Sequence, residues 1–258
     1  LTGSGTDSIT GAGTLVLLNS NLGTGGTLSS VTRFDVSAAS LTMPVRTYGG
    51  AVQCYSNSTA SNRNCSTNAG TYTFQSDVTV MNDGSFVPSI IGSTNNPTVN
   101  ISGNLGFTKN SSGTPAIATG TGTWTVSGNA DFTNGTMTAT TNNTFAMNGT
   151  GGKTLVGATA SLYNLTISSS SDTITLQTTG LTVTNTVNIA STSTLSIASG
   201  ITLTHSGATL TLTGTISGAG TYAYQSTTAF PTTGTISSVL RMDSTNGNQI
   251  VSARTFTG

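Results

Sequence analysis

Charge is the scarcest property of this sequence. Its 258 residues include seven Lys or Arg, seven acidic residues and one His, so that only 5% of the chain is charged and the formal net charge is zero. Every acidic residue is Asp, and the chain contains no Glu. An ordinary globular domain is about 25% charged. Because no basic stripe is present that could neutralise a run of phosphates, we predict no nucleic-acid partner.

Long apolar runs and helix-favouring residues are also scarce. No run approaches the 18 or so apolar residues of a membrane helix, so we predict no membrane-spanning segment. Thr, Ser, Gly and Asn dominate, and together with Val and Ile they favour strands and turns. Hydrophobic residues make up 34% of the chain and alternate regularly, which argues against disorder. The sequence therefore predicts an all-β fold. Because Leu1 opens the sequence without an initiator Met or a signal peptide, we expect a mature or excised segment.

Residues that could support catalysis are few and dispersed. His205 is the only histidine, and neither a nucleophilic serine motif nor a nearby carboxylate accompanies it. Seven scattered Asp without Glu make a paired-carboxylate site or an acidic metal site hard to build. Glycine-rich phosphate loops and calcium-binding turns are absent. We therefore predict a protein that is not an enzyme and that uses no cofactor and no metal.

The chain has two cysteines, Cys54 and Cys65. The stretch between them is polar and reads as a loop, near residues 51–70, inserted between strands. We predict that a disulfide closes this loop, and two free thiols are the alternative. A disulfide requires an oxidising compartment, so the predicted location is extracellular or at the cell surface.

Short runs of alternating apolar and polar residues recur between residues 120 and 222. Every third run repeats the spacing, since Ile174, Leu195 and Ile216 are 21 residues apart. Three strands in a coil of about 20 to 22 residues, with apolar side chains inward, describe a three-faced parallel β-helix, or β-solenoid. Tandem β-sandwich domains, which also have short and regularly spaced strands, are the alternative fold.

The period also predicts the corners and the length of the solenoid. Several glycines fall between the runs, where we expect corners to require a positive φ. These glycines are Gly180, Gly200, Gly207 and Gly214. At a rise of about 4.8 Å per coil, about twelve coils would extend roughly 60 Å.

A longer repeat links the two ends of the chain. Residues 27–50 align without a gap to residues 235–258, and nine of the 24 positions are identical. We interpret residues 1–207 as one tandem unit and residues 208–258 as the start of a second unit. A subunit whose ends resemble each other because copies stack head to tail is the alternative. The rare charged residues that coincide are candidates for the unit interface: Arg33, Asp35 and Arg46, with their partners Arg241, Asp243 and Arg254.

Two segments carry a resemblance to a known family, GTWTVSGNADFTNGTMTATTNNTFAMNGTGGKTLVGATASLYNLTIS and TLSIASGITLTHSGATLTLTGTISGAGTYAY. Over residues 105–225 the chain resembles the β-strand repeat proteins of bacterial cell surfaces and, more loosely, the β-helical passengers of autotransporter adhesins. The resemblance implies an exported, non-catalytic structural repeat of a fibre, appendage or adhesin stalk, whose partners are copies of itself or adjacent units. The segment 41–97 departs from that pattern.

Two other functions are compatible with the sequence. Runs such as Thr209-Leu-Thr-Leu-Thr213 resemble the flat threonine arrays of ice-binding solenoids, although we expect the Asn, Ser and Ala residues among the threonines to interrupt a uniform face. Surface glycans are also possible partners, because exposed tyrosines can stack on sugar rings. The candidates are Tyr48, Tyr55, Tyr72, Tyr163, Tyr222 and Tyr224.

Overall fold

The computed structural model describes residues 8–243 except positions 21, 24, 25, 139 and 159. The described residues form β-strands and short connections, without a helix. The strands stack in parallel into a β-solenoid of about ten turns. This confirms the predicted parallel β-helix over the alternative of tandem β-sandwiches, whose sheets are antiparallel.

The described part of the chain contains 29 strands, most of them two to five residues long. They are β1 (Ser8–Ile9), β2 (Thr14–Leu17), β3 (Thr27–Leu28), β4 (Val31–Asp35), β5 (Leu41–Met43), β6 (Thr47–Tyr48), β7 (Val52–Ser56), β8 (Arg63–Thr67), β9 (Thr71–Phe74), β10 (Val78–Asn82), β11 (Pro88–Ile91), β12 (Thr98–Ile101), β13 (Leu105–Lys109), β14 (Ala116–Ala118), β15 (Thr123–Val126), β16 (Ala130–Asp131), β17 (Thr136–Thr138), β18 (Thr144–Met147), β19 (Lys153–Val156), β20 (Ser161–Ile167), β21 (Thr173–Gln177), β22 (Leu181–Ile189), β23 (Thr194–Ile197), β24 (Thr202–His205), β25 (Thr209–Leu212), β26 (Thr215–Ser217), β27 (Thr221–Tyr224), β28 (Thr235–Ile236) and β29 (Val239–Met242).

The strands form three faces, as the period predicts. Face 1 is the 11-stranded sheet, which consists of β2, β4, β7, β10, β13, β16, β19, β21, β23, β26 and β28. Face 2 contains β5, β8, β11, β14, β17, the first parts of β20 and β22, then β24, β27 and β29. Face 3 contains β1, β3, β6, β9, β12, β15, β18, the second parts of β20 and β22, then β25. From β4 to β25 the chain passes through face 1, face 2 and face 3 in that order in each turn.

The core consists of files, which are rows of inward-facing side chains that stack from coil to coil along the solenoid axis. On face 1, Leu155 pairs with Leu176, and Leu176 pairs with Ile197 in the following coil. On face 3, Trp124 pairs with Phe145. All five side chains are at most 1% exposed and belong to one continuous apolar cluster. Burial of each such side chain stabilises the fold by about 1.5 to 3 kcal/mol. The alternation of apolar and polar residues directs these side chains inward, so their burial is the main source of stability.

Coil length varies along the chain more than the sequence predicts. Asn164 and Asn185 hydrogen-bond across one coil and are 21 residues apart. Asp77 and Asn104 also bond across one coil but are 27 residues apart. Part of the extra length comes from the connection 92–97, which joins a strand of face 2 to a strand of face 3. In the later coils no such connection is needed, because β20 and β22 each continue from face 2 into face 3 as one strand. The prediction of 20 to 22 residues is therefore right for the later coils and wrong for the central ones, and the solenoid has about ten turns instead of twelve.

The corner glycines serve two different purposes. Gly200 has a φ of 75°, as predicted for a corner. Gly180, Gly207 and Gly214 do not have a positive φ, so the prediction is wrong for them. At Gly207 a Cβ atom would collide with the backbone carbonyl of Asn185 in the preceding coil. These three glycines are needed because neighbouring coils approach one another too closely for a side chain.

Candidate functional site

The disulfide lies inside the solenoid. Cys54 on β7 of face 1 and Cys65 on β8 of face 2 form an S–S bond of 2.04 Å, with their Cα atoms 6.0 Å apart. Both cysteines are 0% exposed. The predicted pairing is confirmed, but the prediction that it closes an external loop is wrong. Cys54 continues the inward alternation of Val52, so the bond crosses the apolar interior and ties two faces of one coil together.

Arg33 is paired with the following coil instead of with Asp35. Its Nε donates a hydrogen bond to Oε1 of Gln53 at 2.9 Å. Its guanidinium carbon lies 4.5 Å from the centre of the Tyr55 ring, within the range of a cation–π contact. Oδ1 of Asp35 accepts a bond from the backbone N–H of Ser37 at 3.0 Å. This end of the repeat thus has a charged patch on face 1 that is held by contacts between coils.

Arg241 and Asp243, the counterparts of Arg33 and Asp35, form a local ion pair. Nη2 of Arg241 lies 2.9 Å from Oδ2 of Asp243, and Gln225 donates a further bond of 3.3 Å to the same oxygen. The hydrogen bond from Arg241 lowers the pKa of the Asp243 carboxyl. Because the Arg241 side chain is 51% exposed, salt screens this pair and it contributes little to stability.

Arg46 has an internal position. Its guanidinium donates bonds of 2.8 Å to the carbonyl oxygens of Gly23 and Gly26, and the residue is 8% exposed. Burial lowers the pKa of Arg46. Arg46 therefore fixes the connection that leads into β3. Its counterpart Arg254 lies outside the described residues, and the interface role of these charged residues stays a prediction.

The two matching ends of the chain lie on different faces. Arg33 is on β4 of face 1, whereas Arg241 is on β29 of face 2. The matching residues Arg33 and Arg241 are therefore offset by one of the three strands of a turn. The division into a unit 1–207 and a second unit 208–258 stays a prediction, since residues 244–258 lie outside the described part.

Most of the tyrosines named as glycan candidates are core residues. Four of them are 0% exposed, namely Tyr48, Tyr72, Tyr222 and Tyr224. Tyr55 and Tyr163 are partly exposed. Tyr163 borders a surface depression of about 590 Å³ on faces 2 and 3. This depression is lined by Thr136, Met137, Thr138, Thr141, Ser161, Tyr163 and Thr184. A glycan partner stays a prediction.

His205 is a buried, neutral core residue. It occupies an inward file of face 2 between Val183 and Tyr224 and is 0% exposed. One ring nitrogen, Nε2, lies 3.0 Å from the carbonyl oxygen of Asn185, which can only accept, so Nε2 carries the proton. The other, Nδ1, lies 2.8 Å from the hydroxyl of Tyr222 and accepts its proton. Burial lowers the pKa of His205, because a charged ring would be poorly solvated there.

The described residues hold no group of three His, Cys, Asp or Glu side chains that could bind a metal ion. They also form no helix that is long and apolar enough to cross a membrane.

A regular array of polar side chains covers face 3. Seven successive strands, β9, β12, β15, β18, β20, β22 and β25, each present two outward positions, which align in two files. The first file contains Thr71, Thr98, Thr123, Thr144, Asn164, Thr186 and Thr209. The second file contains Thr73, Asn100, Thr125, Ala146, Thr166, Asn188 and Thr211. We call these fourteen positions the threonine array. The Thr-x-Thr runs in the sequence indicate the individual rows of the threonine array. The register that aligns these rows across strands is visible only in the structure.

The threonine array is more uniform than the outward surface of face 1. Ten of its fourteen residues are Thr, three are Asn and one is Ala, and none is charged or aromatic. On face 1 the outward positions include Arg33, Tyr55, Met81 and Asp131. The regularity of face 3 is therefore not a general consequence of the solenoid fold.

Comparison with known proteins adds no family. No protein-family model matches the chain, and no curated protein or solved structure is significantly similar to it. The resemblance to bacterial cell-surface repeat proteins therefore stays a prediction.

The disulfide is expected to stabilise the solenoid measurably. Replacing both cysteines, as Cys54→Ala with Cys65→Ala, should lower the free energy of unfolding by about 2 to 4 kcal/mol, because the unfolded chain loses a covalent constraint. Urea unfolding followed by circular dichroism measures the change. A reducing agent should shift the midpoint of the wild-type protein and leave that of the double variant unchanged. Equal midpoints for oxidised and reduced wild type would contradict this role.

The buried histidine predicts a loss of stability in weak acid. The unfolded chain, with a His pKa of about 6.5, binds a proton more readily than the folded chain does. The full contribution of neutral His205 is therefore present above about pH 6.5 and is lost as the pH falls toward its lowered folded-state pKa, by at most about 1.4 kcal/mol per pH unit.

Urea unfolding between about pH 7.5 and pH 5.5 tests this effect cleanly, because the chain has one His and no Glu. His205→Gln removes the titrating ring and should flatten the pH dependence. The same slope in the variant and in the wild type would show that His205 is not its source.

Proposed function

We propose that this protein is a non-enzymatic structural repeat of an extracellular fibre, appendage or adhesin stalk. Its coils assemble by continuing the stack, either into an adjacent tandem unit or onto another copy of the chain. The partners are thus its own copies or neighbouring units. Proteins of this kind on bacterial surfaces are the family that the sequence resembles.

The position of the exposed apolar side chains supports this proposal most directly. The large apolar residues that are exposed in the described part are Val16, Leu18, Val239 and Phe86. Val16 and Leu18, which are 46% and 70% exposed, lie in or beside β2 in the first described coil. Val239, 59% exposed, begins β29 in the last described coil. Three of the four exposed large apolar side chains therefore lie in the first and last described coils.

The first and last strands of the described ladder support the same conclusion. Within the described residues, β2 pairs only with β4, and β29 pairs only with β27. The backbone donors and acceptors at the outer edge of a strand readily pair with a further strand. Stacking another coil would provide these groups with partners.

An extracellular location and a non-catalytic role agree with the chemistry of the chain. The internal disulfide is stable where the environment is oxidising. Seven Lys and Arg residues in 258 leave few cleavage sites for trypsin-like proteases. The described residues also lack the clustered His, Cys, Asp or Glu side chains on which many hydrolytic sites depend.

End-to-end assembly can be tested by electron microscopy of the purified chain. About ten turns with a rise of about 4.8 Å make a rod of about 50 Å. We expect wild-type particles much longer than one rod. Leu18→Lys and Val239→Lys should shorten them, since a charged side chain at an open edge opposes strand addition.

Phe86→Lys provides the matched control. Phe86 is also exposed, at 36%, but lies in the connection between β10 and β11, away from both ends. This variant should form particles as long as those of the wild type. Isolated wild-type rods at all concentrations, or equal shortening by Phe86→Lys, would refute end-to-end stacking.

A further inference from the structure

We infer that the threonine array on face 3 binds the surface of ice. The ligand is a lattice of ordered water molecules, and the site comprises the outward positions of seven successive strands. This function goes beyond the structural role proposed above and does not depend on it.

The spacing of the array approximates the geometry of frozen water. Water molecules joined by hydrogen bonds of about 2.75 Å in a tetrahedral network have second neighbours about 4.5 Å apart, and the layers of the network repeat at about 7.3 Å. Neighbouring coils lie about 4.7 to 4.9 Å apart, and outward residues on one strand are about 6.6 to 6.8 Å apart. Over the array, which is about 29 Å long, the coil spacing exceeds that of ice by about 0.2 to 0.4 Å, and the spacing along a strand is about 0.5 to 0.7 Å shorter. The agreement is therefore approximate and is best between neighbouring coils.

The side chains of the array are held in place from below and from the side. Each strand alternates array residues with buried ones, as Tyr72, Trp124 and Phe145 show beneath neighbouring threonines. A β-branched Thr has few accessible χ1 rotamers, so its hydroxyl and methyl groups keep a fixed direction. At the one Asn in the first file, Oδ1 of Asn164 accepts a bond of 2.8 Å from Asn185 in the next coil. Little side-chain entropy is therefore lost when water orders on this surface.

The chemistry of the array favours water over other ligands. Hydroxyl groups can take the place of lattice waters in hydrogen bonds, and the adjacent methyl groups leave neighbouring waters bonded to one another. Because no array residue is charged, no ionic group orients water into a competing shell. A polysaccharide surface is less suitable as a ligand, since the array has no aromatic ring on which sugars could stack. The expected interruptions by Asn and Ala occur at four of the fourteen positions, and Ala146 is only 7% exposed. The strands nevertheless stay in register at these positions.

Partition of the whole chain into slowly growing ice tests the inference, together with the gap between melting and freezing temperatures and the shape of the crystals. We expect the wild-type protein to be enriched in the ice and to open a measurable gap. A globular protein that does not bind ice serves as the reference and should be rejected from it. Rejection of the wild-type protein to the same extent would overturn the inference.

One pair of substitutions locates the binding face. Thr125→Tyr places a bulky ring at the centre of the array, whereas Thr175→Tyr places it at the equivalent position of β21 on face 1. Both threonines are partly exposed, and Tyr is well tolerated in strands, so both variants should fold. Thr125→Tyr should abolish partition into ice and the freezing gap, and Thr175→Tyr should retain both. Equal activity of the two variants would exclude face 3 as the site.

Two further measurements separate the possible outcomes. Binding of the wild-type protein to insoluble cellulose or chitin, combined with rejection from ice, would overturn the inference in favour of a polysaccharide surface. Particle lengths in the electron microscope should be the same for the wild type and Thr125→Tyr, because the array lies on the side of the rod. Failure of ice binding can thus be distinguished from failure of end-to-end assembly.

Discussion

Each coil of this protein obtains the partners of its backbone N–H and C=O groups from the coils on either side. Since unpaired buried backbone groups are costly, the ladder between coils constrains everything else in the structure. It brings neighbouring coils so close that Gly207 cannot be replaced by a larger residue without collision. It also aligns inward side chains into core files and outward ones into surface files. Among the described residues, the first and last strands of this ladder each pair on one side. We therefore propose that assembly occurs by adding coils at the ends.

The three faces divide the tasks of the molecule. The interior is mainly apolar, with a few buried polar side chains such as His205, and the disulfide ties face 1 to face 2 within it. Face 1 carries the contacts of Arg33 with Gln53 and Tyr55, and these join one coil to the next. Face 3 carries the uncharged threonine array. A rod of this kind can extend through its ends while a side face remains free to bind a ligand, so the two proposed functions are compatible.

Much of the fold could be predicted from the sequence, because alternation and a 21-residue spacing are local signals. Ile174, Leu195 and Ile216 are in register on face 1, as predicted. The length of the central coils could not be predicted, since connections such as 92–97 lie outside the ladder and follow no period. The inward position of Cys54 is hard to predict because the polar residues around it resemble a loop. Only its alternation with Val52 indicates that its side chain points inward. The threonine array required the register between strands, which one sequence does not contain.

X-ray diffraction from aligned assemblies of the protein tests the central claim, that coils stack along the axis of a fibre. Our account predicts a strong reflection at about 4.8 Å on the meridian, because the strands lie across the axis and successive coils repeat along it. The same spacing on the equator would place the strands along the axis and would contradict the account.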